Sequence, residues 1–130
     1  HRGKLGDLCR QTINLKTRLG LMGDREIKRA DIYSLLKDFS PPAIRANALY
    51  HTSRRMRAYL DLYLDKLRFT KTLLNGRDLV KMGIPEGRLI GAVLQDLLAA
   101  KLNGEVKTRL GEERLARSII SRLSDPGMDH

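Results

Sequence analysis

Cysteine is all but missing from this 130-residue chain, which carries Cys9 alone. That excludes an intramolecular disulfide. One Cys with the scattered His1, His51 and His130 cannot furnish the four ligands of a zinc site either. A single thiol suits a reducing cytoplasm, the expected compartment, and Cys9 reads as a small apolar residue on a helix face. Aromatic residues make up 5% of the chain. No basic helix face is paired with a large aromatic one, so an anionic membrane is not the expected partner. No apolar run approaches the ~20 residues that span a bilayer. There is no Gly-rich phosphate loop ending in Gly-Lys-Ser or Gly-Lys-Thr, and no nucleophile elbow. No alternating run bounded by hairpin turns predicts a strand. The chain opens His1-Arg2 without an initiator Met, and no basic stretch leads into an apolar signal core. It is therefore expected to be a fragment of a longer product.

What is present is charge and helical periodicity. Hydrophobic residues reach 42%, enough for one compact domain that buries about two-thirds of its unfolded surface. Lys and Arg number 25 against 15 Asp and Glu, a net charge of +10 spread over both halves of the chain. With no basic tail to hold it, that charge belongs to folded surface and favours a polyanion, RNA or DNA. Solubility alone is the plainer explanation of the same excess.

The apolar spacing predicts an all-α fold, a compact helical domain of about six helices. A first helix over Lys4–Leu19 places Leu5, Leu8, Cys9, Thr12, Lys16 and Leu19 roughly on one face, and Gly20–Asp24 breaks it. Asp31–Phe39 reads as a second helix, with Asp31 as N-cap or first-turn acid. Ser40-Pro41-Pro42 opens a short alanine-rich third helix reaching His51. The fourth, Ser53–Lys71, shows a stripe of Met56, Tyr59, Leu60, Tyr63, Leu64 and Leu67, and its two tyrosines read as core. No acid falls from Phe39 through Leu60, where Arg45, Arg54, Arg55 and Arg57 lie. This is the strongest local basic bias. It serves either as a phosphate-contacting face or as a solvated face on which Arg57 pairs with Asp61. A last helix over Leu110–Leu123 turns Leu115, Ile119, Ile120 and Leu123 inward and Arg114, Arg117 and Arg122 outward. Residues 1–24 are expected as an N-terminal helix and break, 25–124 as the main helical domain, and 125–130 as a frayed end.

The chain is organised around residues 74–106. Arg77–Met82 gives about two helical turns, which Gly83 stops with a left-handed residue. Pro85 fits the first turn of a long apolar helix carrying Leu89, Ile90, Val93, Leu94, Leu97, Leu98 and Leu102. Asn103-Gly104 ends it. The result is a helix-turn-helix hairpin at 76–103. Unpaired N–H groups at the start of the long helix could bind a phosphate oxygen. Gly83 and Gly87 would admit a nucleic-acid backbone, and Arg77, Lys81 and Arg88 flank the turn. The alternative is a helix hairpin whose glycines only permit the turn.

This run, Gly-Arg-Asp-Leu-Val-Lys-Met-Gly-Ile-Pro-Glu-Gly-Arg-Leu-Ile-Gly followed by Asn-Gly-Glu-Val, resembles the C-terminal body and tail region of bacterial class II tRNA nucleotidyltransferases (CCA-adding enzymes) and poly(A) polymerases. Gly76, Asp78, Leu79, Gly83, Pro85, Gly87, Gly91 and Gly104–Val106 carry the match. Asp31–Leu36 with Ser40-Pro41-Pro42 resembles the family's preceding helical pair, so the likeness covers roughly Arg29–Leu115. Glu86-Gly87-Arg88 departs from the Pro-Gly-Pro often found at the turn. The resemblance implies a segment that grips tRNA by shape and phosphate contact. The parent enzyme's separate head would add CCA, CC, A or poly(A) to an RNA 3′ end, using ATP or CTP and Mg2+. The head's paired metal-binding carboxylates are not recognisable here, since Asp61 and Asp65 read as ion-pair partners among arginines and Asp125 and Asp129 fall near the terminus. The fragment itself is thus expected to lack catalytic residues, metal ligands and cofactors. Its expected RNA contacts are Arg54, Arg55, Arg57, Arg68, Lys71, Arg77, Lys81 and Arg88, with the Gly83–Gly87 backbone. A helix-hairpin-helix module for duplex DNA and a protein-interaction module for an acidic partner are the competing readings.

Overall fold

The computed structural model describes residues 2–51 and 53–124, and side chains from residue 5 to residue 123 apart from residue 52. Among the described residues there are seven α-helices, one 3-10 turn and no strand, so the fold is all-α. No described helix is long and apolar enough to cross a membrane. The helices gather into two compact units, His1–Phe69 and Thr70–His130. The expected frayed end at 125–130 lies outside the described residues.

In the first unit, α1 (Arg2–Met22) packs on α3 (Pro41–Tyr50), which packs on α4 (Arg54–Asp65); α2 (Arg29–Leu36) also packs on α4. The inward stripe of α1 differs from the expected one. Leu15 and Leu19 are fully buried and Leu8, Thr12 and Met22 half-buried, whereas Leu5, Cys9 and Lys16 are exposed. Residues 8, 12, 15, 19 and 22 alternate steps of four and three and so share one face. Thr12 is tolerated there because its hydroxyl donates to the Leu8 carbonyl at 2.8 Å. Nor does Gly20 break the helix. One glycine weakens a helix by only about 1 kcal/mol relative to alanine, less than the packing of Leu19 and Met22 on either side of it supplies. The stop comes at Gly23, with φ +70.

A buried amide that periodicity could not reveal joins α1 to α3. Asn47, 5% exposed, donates from Nδ2 to the Thr12 carbonyl at 3.1 Å and the Ala43 carbonyl at 2.9 Å. Asp31 is the first-turn acid of α2 and not its N-cap, which is Lys28. Ser40 caps α3 by accepting from the Ala43 N–H, and Ser53 caps α4 by accepting from the Met56 N–H. The fourth helix stops at Asp65, short of the expected Lys71. Lys66 leaves helical geometry, a 3-10 turn follows at Leu67–Phe69, and Arg68 Nε donates at 2.8 Å to the Leu64 carbonyl, left free by the stop. Tyr63 is buried, with its ring centroid 5.9 Å from that of Tyr33; half-buried Tyr59 accepts the Ile27 N–H on its hydroxyl.

The second unit holds α5 (Gly76–Lys81), α6 (Arg88–Leu102) and α7 (Arg109–Ser124). Its core is Leu74, Leu79, Ile84, Val93, Leu97, Ala116 and Ile119. Gly83, at φ +106, closes α5 as expected. The Ile84 N–H reaches back to the Leu79 carbonyl and the Gly83 N–H to the Val80 carbonyl, both at 3.0 Å. Gly104 closes α6 through the same pair of bonds, to Ala100 and Lys101. The long helix does not begin at Pro85. Its N-cap is Gly87, at φ +119 and ψ −147, and Pro85 lies in the connecting turn. That backbone conformation is open essentially only to glycine, so the helix cannot form until the chain has passed Gly87. In α7, Leu123 is 55% exposed and not inward, while Ala116 and Glu112 are fully buried.

Candidate nucleic-acid interface

The ten residues read from the sequence as RNA contacts fall in both units. In the first unit they belong to α4 and the 3-10 turn. Arg54 is exposed and free of hydrogen bonds and ion pairs among the described residues. The other three are engaged by the fold itself. Arg55 Nη1 donates to the Asp24 carbonyl at 3.1 Å, beside the Ser53 hydroxyl that bonds the Asp24 carboxylate. Arg57 Nη1 donates to the His51 carbonyl at 3.0 Å and forms no ion pair with Asp61 among the described residues. Arg68 closes α4, and its guanidinium lies 4.5 Å from the Phe69 ring centroid. The basic bias of α4 is therefore partly structural: two arginines tie down the chain leading into the helix and one seals its end. Asp61 and Asp65 are exposed, and neither pairs with an arginine among the described residues.

The four expected cations of the second unit, Lys71, Arg77, Lys81 and Arg88, are all exposed and take no part in the fold's hydrogen bonds or ion pairs among the described residues. An open groove of 460 Å³ is lined by Gly76, Arg77, Val80, Lys81, Glu86, Gly87 and Ile90. It brings together three of the expected residues, Arg77, Lys81 and Gly87. Helical spacing puts Arg77, Val80 and Lys81 on one face of α5. Gly76 lets α6 approach closely, since a Cβ there would sit 3.3 Å from Ile90 Cγ2. No side chain caps α6 at Gly87.

Two acids that periodicity did not single out hold this surface in place. Asn75 and Asp78 form a reciprocal capping box. The Asp78 N–H donates to Asn75 Oδ1 at 3.0 Å, and the Asn75 N–H donates to Asp78 Oδ2 at 2.9 Å. Asp78 also pairs with Arg109 at 3.4 Å. Its carboxyl is held below the ordinary 3.8, first by the Asn75 backbone donor; partial desolvation opposes this, and the charges of Arg109 and Lys81 add to it. A carboxyl depressed on folding contributes stability above its ordinary value and loses it as pH falls through that value toward the folded one. The expected result is that Asp78→Asn, which keeps an acceptor but not the charge, lowers the thermal midpoint at neutral pH. The two proteins should converge as pH drops below about 4. Thermal melts across that range read this directly.

Glu112 is the other acid. It is completely buried and accepts the backbone N–H of Leu73 on both oxygens (2.9 and 3.0 Å) and that of Leu74 at 3.1 Å; Lys101 Nζ lies 3.3 Å away. One carboxylate thus fixes the strand of chain that enters α5 to α7. A Glu in a stretch rich in Glu and Arg gives no sequence sign of burial. The only hint was that position 112 lies four residues before Ala116, on the same helix face. Among the described residues no three His, Cys, Asp or Glu side chains gather as a metal site would require.

Comparison with known proteins places the chain. It is 37% identical over 91 residues to the A-adding tRNA nucleotidyltransferase of Geobacter sulfurreducens, a match covering 70% of this chain and 10% of that protein. The matched region is related to the tRNA nucleotidyltransferase family. This chain therefore corresponds to about one tenth of the relative's length. No protein-family model matches the chain, and no solved structure matches it.

Proposed function

We propose that this chain is an RNA-gripping segment of a tRNA nucleotidyltransferase, drawn from the helical body and tail, and that its RNA is tRNA. The observation that carries the reading is the 37% identity over 91 residues to an A-adding tRNA nucleotidyltransferase. The +10 charge supports it, as do the free cations of the second unit. Lys71, Arg77, Lys81 and Arg88 would meet phosphates, with Arg54 adding a contact from the first unit. Arg55, Arg57 and Arg68 would contribute field more than direct contact, since each already donates within the fold. The whole protein would extend an RNA 3′ end with nucleoside triphosphates and magnesium. Metal and triphosphate would be held by another part of the parent.

A competition assay tests the reading. Unlabelled tRNA is expected to displace labelled tRNA from the 130-residue chain at lower concentration than a DNA duplex of equal charge. Equal or better displacement by the DNA would favour a helix-hairpin-helix DNA module, to which the α5–turn–α6 arrangement is also suited.

A further inference from the structure

The groove between α5 and the start of α6 is not simply a phosphate site. Its lining includes a carboxylate, Glu86, and an apolar wall of Val80 and Ile90. Val80 is 39% exposed, although a valine on a packed helix normally turns inward. A carboxylate repels phosphate, so a site serving the backbone alone would not include Glu86. The exposed apolar wall has no use for phosphate either. Both features suit a planar ring that is apolar on its faces and carries N–H donors on its edge. Arg77 and Lys81 line the same groove and are free to take the negative charge on either side of such a ring. Glu86 likewise makes no hydrogen bond or ion pair among the described residues. A groove of 460 Å³ lies within the range that holds a small ligand.

Building on the RNA-binding reading above, we propose that this groove receives one unstacked guanine of the bound RNA. Val80 and Ile90 contact the face of the base. Glu86 accepts from its N1–H and N2–H₂ groups, and Arg77 and Lys81 pair with the flanking phosphates. Guanine is the base whose Watson–Crick edge offers two adjacent donors, the partner that a carboxylate's two oxygens match. Recognition of splayed single-stranded bases by stacking and edge hydrogen bonds is the usual route to sequence preference in RNA. Gly76 and Gly87 present no side chain to the groove, and a Cβ at Gly87 would meet no other atom within 4 Å, so that wall stays open.

The test uses the full 130-residue chain and labelled single-stranded uridine heptamers whose central residue is guanosine, inosine or uridine, with tRNA binding measured in parallel. The guanosine oligomer is expected to bind about tenfold more tightly than the all-uridine one. Inosine, which lacks the N2 amine, should lose most of that gain. Glu86→Gln is expected to erase the preference while leaving uridine binding unchanged or slightly stronger, because a repulsive charge has gone. Val80→Ala should weaken the guanosine oligomer selectively. Binding of tRNA with no preference among the three oligomers, or a preference that survives Glu86→Gln, would overturn the guanine site and leave the tRNA reading standing. Failure to bind any RNA, tRNA included, would overturn both.

Discussion

Glu112→Ala is expected to destabilise the second unit by about 3 kcal/mol, the low end of the range for removing one partner of a buried ion pair, because the partner Lys101 is only partly buried. The side chain is completely buried and gathers two backbone donors and one ammonium. Truncation leaves the buried Leu74 N–H without an acceptor, frees the part-buried Leu73 N–H and removes the counter-charge of Lys101, and the buried orphan is destabilising on its own. A typical domain holds only about 5–15 kcal/mol in total, so the loss should be plain as a drop in the urea midpoint. Glu112→Gln, which keeps an acceptor of nearly the same shape, should fall between wild type and alanine. If Glu112→Ala melts like wild type, the carboxylate is not the pin described here.

Reversing Arg77, Lys81 and Arg88 to glutamate should weaken tRNA binding on the order of a hundredfold at moderate salt, because three phosphate contacts become repulsions. The melt should stay close to wild type, since none of the three makes a hydrogen bond or ion pair within the fold among the described residues. Arg55→Glu with Arg57→Glu should behave in the opposite way. Each substitution removes a charged donor from a backbone carbonyl, so the midpoint falls by the equivalent of about 1 kcal/mol per bond. Their effect on affinity should be the smaller of the two sets. Paired measurements of binding and melting separate cations that serve the fold from cations left to serve a ligand.

The contrast between these two sets marks how far the sequence could be read. The helices followed from spacing because their buried positions recur every three or four residues, and Gly83 and Gly104 announced their stops through a conformation only glycine takes easily. Pro85 misled because proline suits a first helical turn, yet the φ of Gly87 two residues later decides where the helix starts. The stripe of α1 is legible only in part: Leu8, Thr12 and Leu19 do face inward, but the third inward position is Leu15 and not Lys16, and Leu5 and Cys9 lie on the exposed side. Arginine identity could show a basic stretch but not which guanidinium groups find a carbonyl nearby. That depends on where Asp24 and His51 end up in space. The groove was half legible. Arg77, Lys81 and Gly87 stood out as charge and glycine beside a turn. Glu86 and Val80 gained meaning only once the turn placed them on one wall.

A titration of tRNA with the 130-residue chain at about 50 mM and about 200 mM salt bears most directly on the claim that this segment holds RNA by its phosphates. With about four phosphate contacts from the free cations, affinity should fall on the order of a hundredfold between the two conditions, through release of counterions. Absence of binding at both salt concentrations, or binding that does not change between them, would contradict it.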